Sequence, residues 1–306
     1  MTPVQLFTAT RRWLNDETAA TYKWTQAELV DYYNNVIDQI ARETSILSDA
    51  TTTLLVEKAL TAGTGDYAFD VRLLEIVNAR IAGETRNLDR VTLRERSGQD
   101  PTWRFTNSAS GVDIVITTTA ITSTTTDFLE LGFVDDSFVQ ITGSATAGNN
   151  TTVLVDTVAQ YSLTLDTDYT LTARIAGDRV ILKQINTDTP LRYMVDYRYG
   201  YITLDPTPHN AGSLLMDVIK LQDTLLTEAE LDTPTTLTIP VSYQYHLQLI
   251  DGICAKAYMK SGPSTFNIEK SKIHQMDFNL LKDRIKRDMI KASKPATNLS
   301  PHYGAI

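Results

Sequence analysis

The chain has 306 residues, a net charge of −9, an isoelectric point near 5.0 and 42% hydrophobic residues. That apolar content suffices for a packed core and excludes wholesale disorder, while the acidic balance argues against a protein that grips DNA over a broad surface. Its one cysteine, Cys254, rules out an intrachain disulfide and a thiolate zinc cluster.

Pro3 to Asn15 is expected to form a first helix, with Leu6, Ala9 and Arg12/Trp13 at helical spacing. Asp16 to Lys23 connects it to the strongest local signal in the chain, Trp24 to Thr44. There Thr25 and Glu28 stand three apart ahead of a periodic run, the spacing of a capping box in which each residue satisfies the other's backbone N–H. Behind the cap Leu29, Tyr32, Tyr33, Val36, Ile37 and Ile40 share one helical face. Trp24, Thr25 and Glu28 with Leu29, Tyr32, Val36 and Ile40 are the expected cap and core positions. A lone helix of this length is marginal in water, so the apolar stripe needs partners. Comparable helical patterning returns only at Ser242 to Ala292, which implies a chain that leaves a helical core, builds β structure and comes back.

Thr51 to Leu60 is β-prone and Gly63 and Gly65 punctuate the turn after it. Phe69 to Ala82 fits strand or helix equally. From Asn107 to Pro190 the composition shifts to Thr, Val, Ile, Asp and Gly, with short apolar runs (VDIVITTT, SFVQITGS, TTVLVDTV, YSLTLD, DRVILKQI) separated by turn residues. That pattern predicts a small all-β sandwich or barrel. The block holds ten acidic and three basic residues. In Leu191 to Leu221 the residues Tyr193, Val195, Tyr197, Tyr199 and Tyr201 alternate as if on one strand face, with Gly200 at a turn. Asp205-Pro206-Thr207-Pro208 closes the strand, and Leu214 to Leu221 is expected to pair back.

The helices then resume. Tyr243, His246/Leu247, Ile250, Ile253/Cys254 and Ala257/Tyr258 form one stripe, and Ile273, Met276, Leu280/Leu281, Ile285 and Met289 a second, predicting an αα-hairpin that closes on the N-terminal helices. Asn267 to Ile306 carries a balance of +4, which leaves −13 for the rest. The last residues, SKPATNLSPHYGAI, read as an extended tail. No run approaches the roughly 20 apolar residues of a membrane span, and MTPVQLFTATRRWL lacks the continuous apolar core of a signal peptide.

Chemistry finds little footing. His209, His246, His274 and His302 are scattered, and His246 lies on an apolar stripe, where a satisfied core histidine is the ordinary meaning. Gly63-x-Gly65 lacks the other glycines and the lysine of a phosphate loop, and no Gly-x-Ser-x-Gly occurs. Asp166-x-Asp168 and Asp135-Asp136 lack calcium-loop spacing and read as turn acidics. The tyrosines form an ordinary cross-strand cluster or, as the sharper alternative, a sugar-binding platform. No catalytic, cofactor-binding or metal residue is assigned.

Three stretches resemble the bacteriophage head-to-tail adaptor (connector, or neck) family. They are Trp13-Leu14-Asn15-Asp16 with Trp24-Thr25-x-Ala27-Glu28-Leu29-x-x-Tyr32-x-Asn34; Tyr199-Gly200-Tyr201-Ile202-Thr203-Leu204-Asp205-Pro206-x-Pro208; and Ile239-Pro240 followed by Tyr245-His246-x-x-Leu249 and Ala255-x-x-Tyr258. The resemblance implies a helical bundle of N- and C-terminal helices with a β-rich flank (1–106 and 191–292); the block 107–190 departs from the family and reads as an inserted all-β domain, and 293–306 as an extended tail, so that the expected fold is α+β and multidomain. The resemblance also implies a non-enzymatic virion protein without cofactor, assembled in the host cytoplasm. That protein forms a ring of twelve copies beneath the portal, meets the portal and tail, nozzle or further neck proteins, and passes DNA without binding it specifically. On this expectation Lys282, Lys286, Arg287 and Lys291 with Leu299, Tyr303 and Ile306 dock the portal. The alternative is a receptor- or carbohydrate-binding virion protein acting through the β block.

Overall fold

The computed structural model describes residues 1–18, 22–232, 238–262 and 264–293. The fold is α+β. Among the described residues there are seven α-helices: α1 (Pro3–Leu14), α2 (Gln26–Thr44), α3 (Thr53–Val56), α4 (Leu93–Gln99), α5 (Glu228–Asp232), α6 (His246–Ala257) and α7 (Ile268–Ser293). The chain divides into two compact units, one of Met1–Asp49, Arg72–Glu75 and Val218–Ile306, the other of Ala50–Val71 and Ile76–Asp217.

In the first unit both N-terminal helices start on capping boxes. Thr2 accepts from the Gln5 N–H at 3.2 Å while the Gln5 side chain accepts from the Thr2 N–H, and Pro3 occupies the first turn, where its missing donor costs nothing. Asn15 and Ser45 end α1 and α2 in the left-handed region, with φ of 52° and 57°. One core joins α1, α2, α6 and α7. It holds Leu6 and Leu14, then Leu29, Val36, Ile37 and Ile40, then Leu249, Ile250, Ile253 and Cys254, and finally Phe278, Leu281 and Ile285. Burying each such aliphatic side chain stabilises the fold by about 1.5–3 kcal/mol. Gly252 sits at the closest approach: a Cβ there would stand 2.9 Å from the Phe278 ring and 3.0 Å from Val36 Cγ1.

The second unit contains a seven-stranded antiparallel sheet built from Phe105 to Ile185. Its spatial order is Phe105–Gly111, Val180–Ile185, Ser137–Thr142, Thr152–Ala159, Ser162–Leu165, Ala120–Thr122 and Val115–Ile116. Period-two burial along Val153, Val155, Leu163, Leu165, Val180 and Leu182 turns one face inward onto a core completed by Ile114, Phe128 and Phe133. The strands lie in one sheet, and among the described residues no closed barrel forms. Its edge strands are joined by only Val112, Asp113 and Ile114 but are not paired to each other.

Three local expectations change. Thr51 to Leu60 is not one strand: Thr53–Val56 makes a helical turn before the strand Glu57–Leu60. The tyrosines do not share a face. Tyr193 is buried on Arg192–Met194, paired with Leu204, whereas Tyr197 and Tyr199 lie in the turn before Tyr201–Asp205 and Tyr199 is fully exposed. Gly200 provides that turn with φ of 77°. Finally, Gly212–Lys220 does not pair back onto Tyr201–Asp205; it pairs with Glu57–Leu60, with Ser48–Asp49 and with Leu73–Ile81. The ambiguous stretch Phe69 to Ala82 resolves as that last strand, Leu73–Ile81.

Candidate interaction surfaces

The helical unit is locked by polar ties between its helices. Thr25 Oγ1 accepts from the Glu28 N–H at 3.2 Å, the Thr25 N–H donates to Glu28 Oε2 at 2.8 Å, and Lys260 Nζ donates to the same oxygen at 2.8 Å. Burial raises the Glu28 carboxyl, but the hydrogen bonds from Lys260 and Thr25 outweigh it and hold the group below its ordinary range. Leu29, Val36 and Ile40 are fully buried, and Tyr32 is partly buried against the same core. Trp24 donates its indole N–H to the Ala257 carbonyl at 2.9 Å, tying the start of α2 to the end of α6. Beneath it lies a buried ion pair: Arg11 Nη1 donates to Asp16 Oδ2 and to the Trp24 carbonyl, each at 3.1 Å, and Asp16 also accepts from the Lys23 and Trp24 N–H groups.

The polar residues that might have carried chemistry are occupied structurally. His246 is buried with Nε2 2.6 Å from the Val241 carbonyl while its Nδ1 is buried without a hydrogen-bond partner among the described residues, and His209 lies 3.4 Å from the Thr187 hydroxyl. His274 meets Asp251 at 2.9 Å and stacks on Tyr258 with ring centroids 5.7 Å apart. Asp166 accepts from the Asp168 N–H within its own turn, and Asp135 accepts from the Val158 N–H. Burial pushes the Cys254 thiol up to about 12, so it is no nucleophile. Among the described residues no group of three or more His, Cys, Asp and Glu could hold a metal, and no helix is long and apolar enough to cross a membrane. His302 lies outside the described residues.

The outward side of α7 carries exposed apolar residues, and it corrects the sequence reading of that helix. Phe278, Leu281 and Ile285 face the core, whereas Ile273, Met276 and Leu280 are 59%, 66% and 62% exposed, and Met289 is exposed as well. A helix with apolar residues on two sides satisfies helical periodicity in both, so spacing alone could not choose between them. The expected docking cations also separate. Lys282 is withdrawn from any partner: its ammonium donates to Glu43 at 2.8 Å, lies 5.0 Å from the Phe278 ring centroid and is almost wholly buried. Lys286, Arg287 and Lys291 are exposed near the end of the helix. Leu299, Tyr303 and Ile306 fall outside the described residues.

A second outward apolar group was missed in the sequence. Leu129, Leu131 and Val134 protrude from the segment between Asp127 and Asp136, while Phe128 and Phe133 of the same segment are sunk in the sheet's core. The one available signal was the crowding of apolar residues in FLELGFV, which no period-two strand accommodates.

No curated protein matches the chain. A family model described as SU10 adaptor protein matches residues 1–129, a span that takes in α1, α2 and their capping boxes. It runs on past Asn107, into the block that composition alone had set apart. The family is a phage adaptor family, so the resemblance read from the N-terminal helices is shown: over residues 1–129 the chain is similar to phage adaptor proteins.

Proposed function

We propose that this chain is a structural adaptor of a phage virion, placed between the head and the tail. The observation that carries the reading is the match of residues 1–129 to an adaptor family, together with capped helices and interhelical ties that build a rigid unit. In this reading the protein turns over no substrate and uses no cofactor. Copies stand side by side in a ring of twelve beneath the portal, tail or neck proteins attach below, and DNA passes through without specific contacts. The overall acidity supports that passage, because like charge repels the phosphate backbone. The exposed cations Lys286, Arg287 and Lys291, with Leu299, Tyr303 and Ile306 of the tail, meet the portal. The β block of residues 107–190 is an inserted domain that decorates the neck. The tyrosines offer no sugar-binding platform, because Tyr193 is buried and Tyr197 packs edge-on against Trp103.

Electron microscopy of phage particles labelled through an antibody to this chain tests the reading. The expected result is label at the neck, and particles lacking the protein are expected to be DNA-filled heads without tails. Label on fibres or baseplate would overturn it.

A further inference from the structure

Among the described residues, the loop Asp127–Asp136 and α7 each present outward apolar side chains. The loop is rigidly built. Its backbone folds on itself through Leu131 N–H to Asp127 O, Gly132 N–H to Leu129 O and Phe133 N–H to Phe128 O. Asp127 accepts from the Glu130 N–H and the Gln160 amide, and Asn107 donates to the Gly132 carbonyl. Phe128 and Phe133, with ring centroids 5.7 Å apart, anchor it to the core. What it presents is Leu129, Leu131 and Val134, with exposed Glu130 and Asp136 beside them. Holding three apolar side chains on a preorganised loop lowers the ordering cost of binding, and it serves no purpose in the core below. The second surface is the stripe Ile273, Met276 and Leu280 on α7, continued at the next helical step by the exposed Arg284, which stands at a loose 3.9 Å from Asp288 and is half exposed to an incoming carboxylate.

One surface is apolar with an acidic rim; the other is apolar and ends in a cation. We propose that the loop of one copy seats on α7 of the next, Leu131 and its neighbours against Met276 and Leu280, with Glu130 facing Arg284. The apolar groups provide the attraction and the charge pair fixes the register. Since the two surfaces differ, the contact is heterologous: each copy offers one of each, so contacts pass from copy to copy. A patch of this size lies well below the area of a stable dimer, so association in free solution is weak and needs a template. The inference rests on the reading that copies of the chain stand side by side.

Cysteine crosslinking tests it on the full chain. Cys254 is fully buried, so a thiol placed at the surface is the accessible one. Leu131→Cys and Met276→Cys are prepared separately, mixed, treated with a short bismaleimide and read by mass spectrometry. Covalent dimers are expected in the mixture and in neither variant alone, and a chain carrying both substitutions is expected to give a ladder of multimers. Adding Glu130→Lys to one partner, or Arg284→Glu to the other, is expected to lower the dimer yield about two- to fivefold, and combining the two to restore it. Dimers from one variant alone, or no mixed dimer at the highest soluble concentration, would overturn the contact. Rings visible on particles without the crosslink would defeat this interface and leave the adaptor reading standing. Crosslinks in solution with label away from the neck would defeat the adaptor reading and leave the interface.

Discussion

Asp16 carries more of the helical unit than its place in a connection implies. It is almost wholly buried, neutralises the equally buried Arg11 and receives two backbone N–H groups at the entry to α2. Removing one member of a buried pair strands the other charge, so Asp16→Ala is expected to cost about 3–5 kcal/mol. Urea unfolding followed by circular dichroism measures it. Gly252 gives the complementary case, where a single methyl meets Phe278 and Val36 with nowhere to go. Gly252→Ala is expected to destabilise by about 1–3 kcal/mol through overpacking, against the small gain a helical Ala brings elsewhere. In the link between the two edge strands of the β sheet, Asp113 accepts from the Ser123 hydroxyl, from the Thr124 and Thr125 N–H groups and from the Thr125 hydroxyl, which together hold its carboxyl well below the usual range, the Ser123 bond foremost. A depressed carboxyl contributes stability that is present above its unfolded value of about 3.9 and is lost as pH falls below it. Asp113→Asn is therefore expected to reduce stability at pH 7 and flatten its decline below about pH 4, as thermal melts across that range would show.

At the scale of elements, what the sequence conveys depends on how local the controlling interaction is. The start of α2 was legible because a capping box needs only two residues at one spacing, and Thr25 and Glu28 supply them. The inward face of α7 was not, because Ile273, Met276 and Leu280 match helical periodicity as well as Phe278, Leu281 and Ile285 do, and only the tertiary partners α2 and α6 decide. Alternation failed at Tyr193 to Tyr201 for a related reason: a period of two continues unchanged through a turn, and the break at Gly200 had to be weighed above it. Loss of Lys282 from the docking set follows from Glu43 on another helix, which spacing within α7 does not show. The strands between Phe105 and Ile185 were readable as β from composition, yet their order is nonlocal. Because that sheet encloses its own core, the block 107–190 is expected to fold as an autonomous domain. Limited proteolysis with mass spectrometry should yield a resistant fragment cut near its ends; even cleavage throughout the block would contradict this.

For the whole molecule, the proposed function makes charge distribution and the tail the determinants of how assembly begins. Residues before Asn267 carry −13, so identical subunits repel, and sedimentation at moderate salt is expected to show mainly monomer until a template orders them. On the proposed reading the template is approached through the end of the chain. Lys286, Arg287 and Lys291 are exposed on the last turns of α7, and the sequence beyond continues with Leu299, Tyr303 and Ile306 among prolines and small residues. Lys294-Pro295 and Ser300-Pro301 disfavour continuation of the helix, and a short apolar segment with no periodicity gains most by ordering on a partner, as an added strand or in a groove. In the proposed docking the cations steer the approach to an acidic surface over a range that salt shortens, to about 8 Å at physiological ionic strength. Truncation after Ser293 separates attachment from folding, since the core of α1, α2, α6 and α7 ends before it. Helicity by circular dichroism is expected to stay unchanged, while attachment to portal-bearing, DNA-filled heads is lost. Charge reversal at Lys286 and Arg287 in the full chain is expected to slow attachment at low salt and to matter less as salt rises. A truncated protein that still joins heads and supports tail addition would show that the tail has no part in docking.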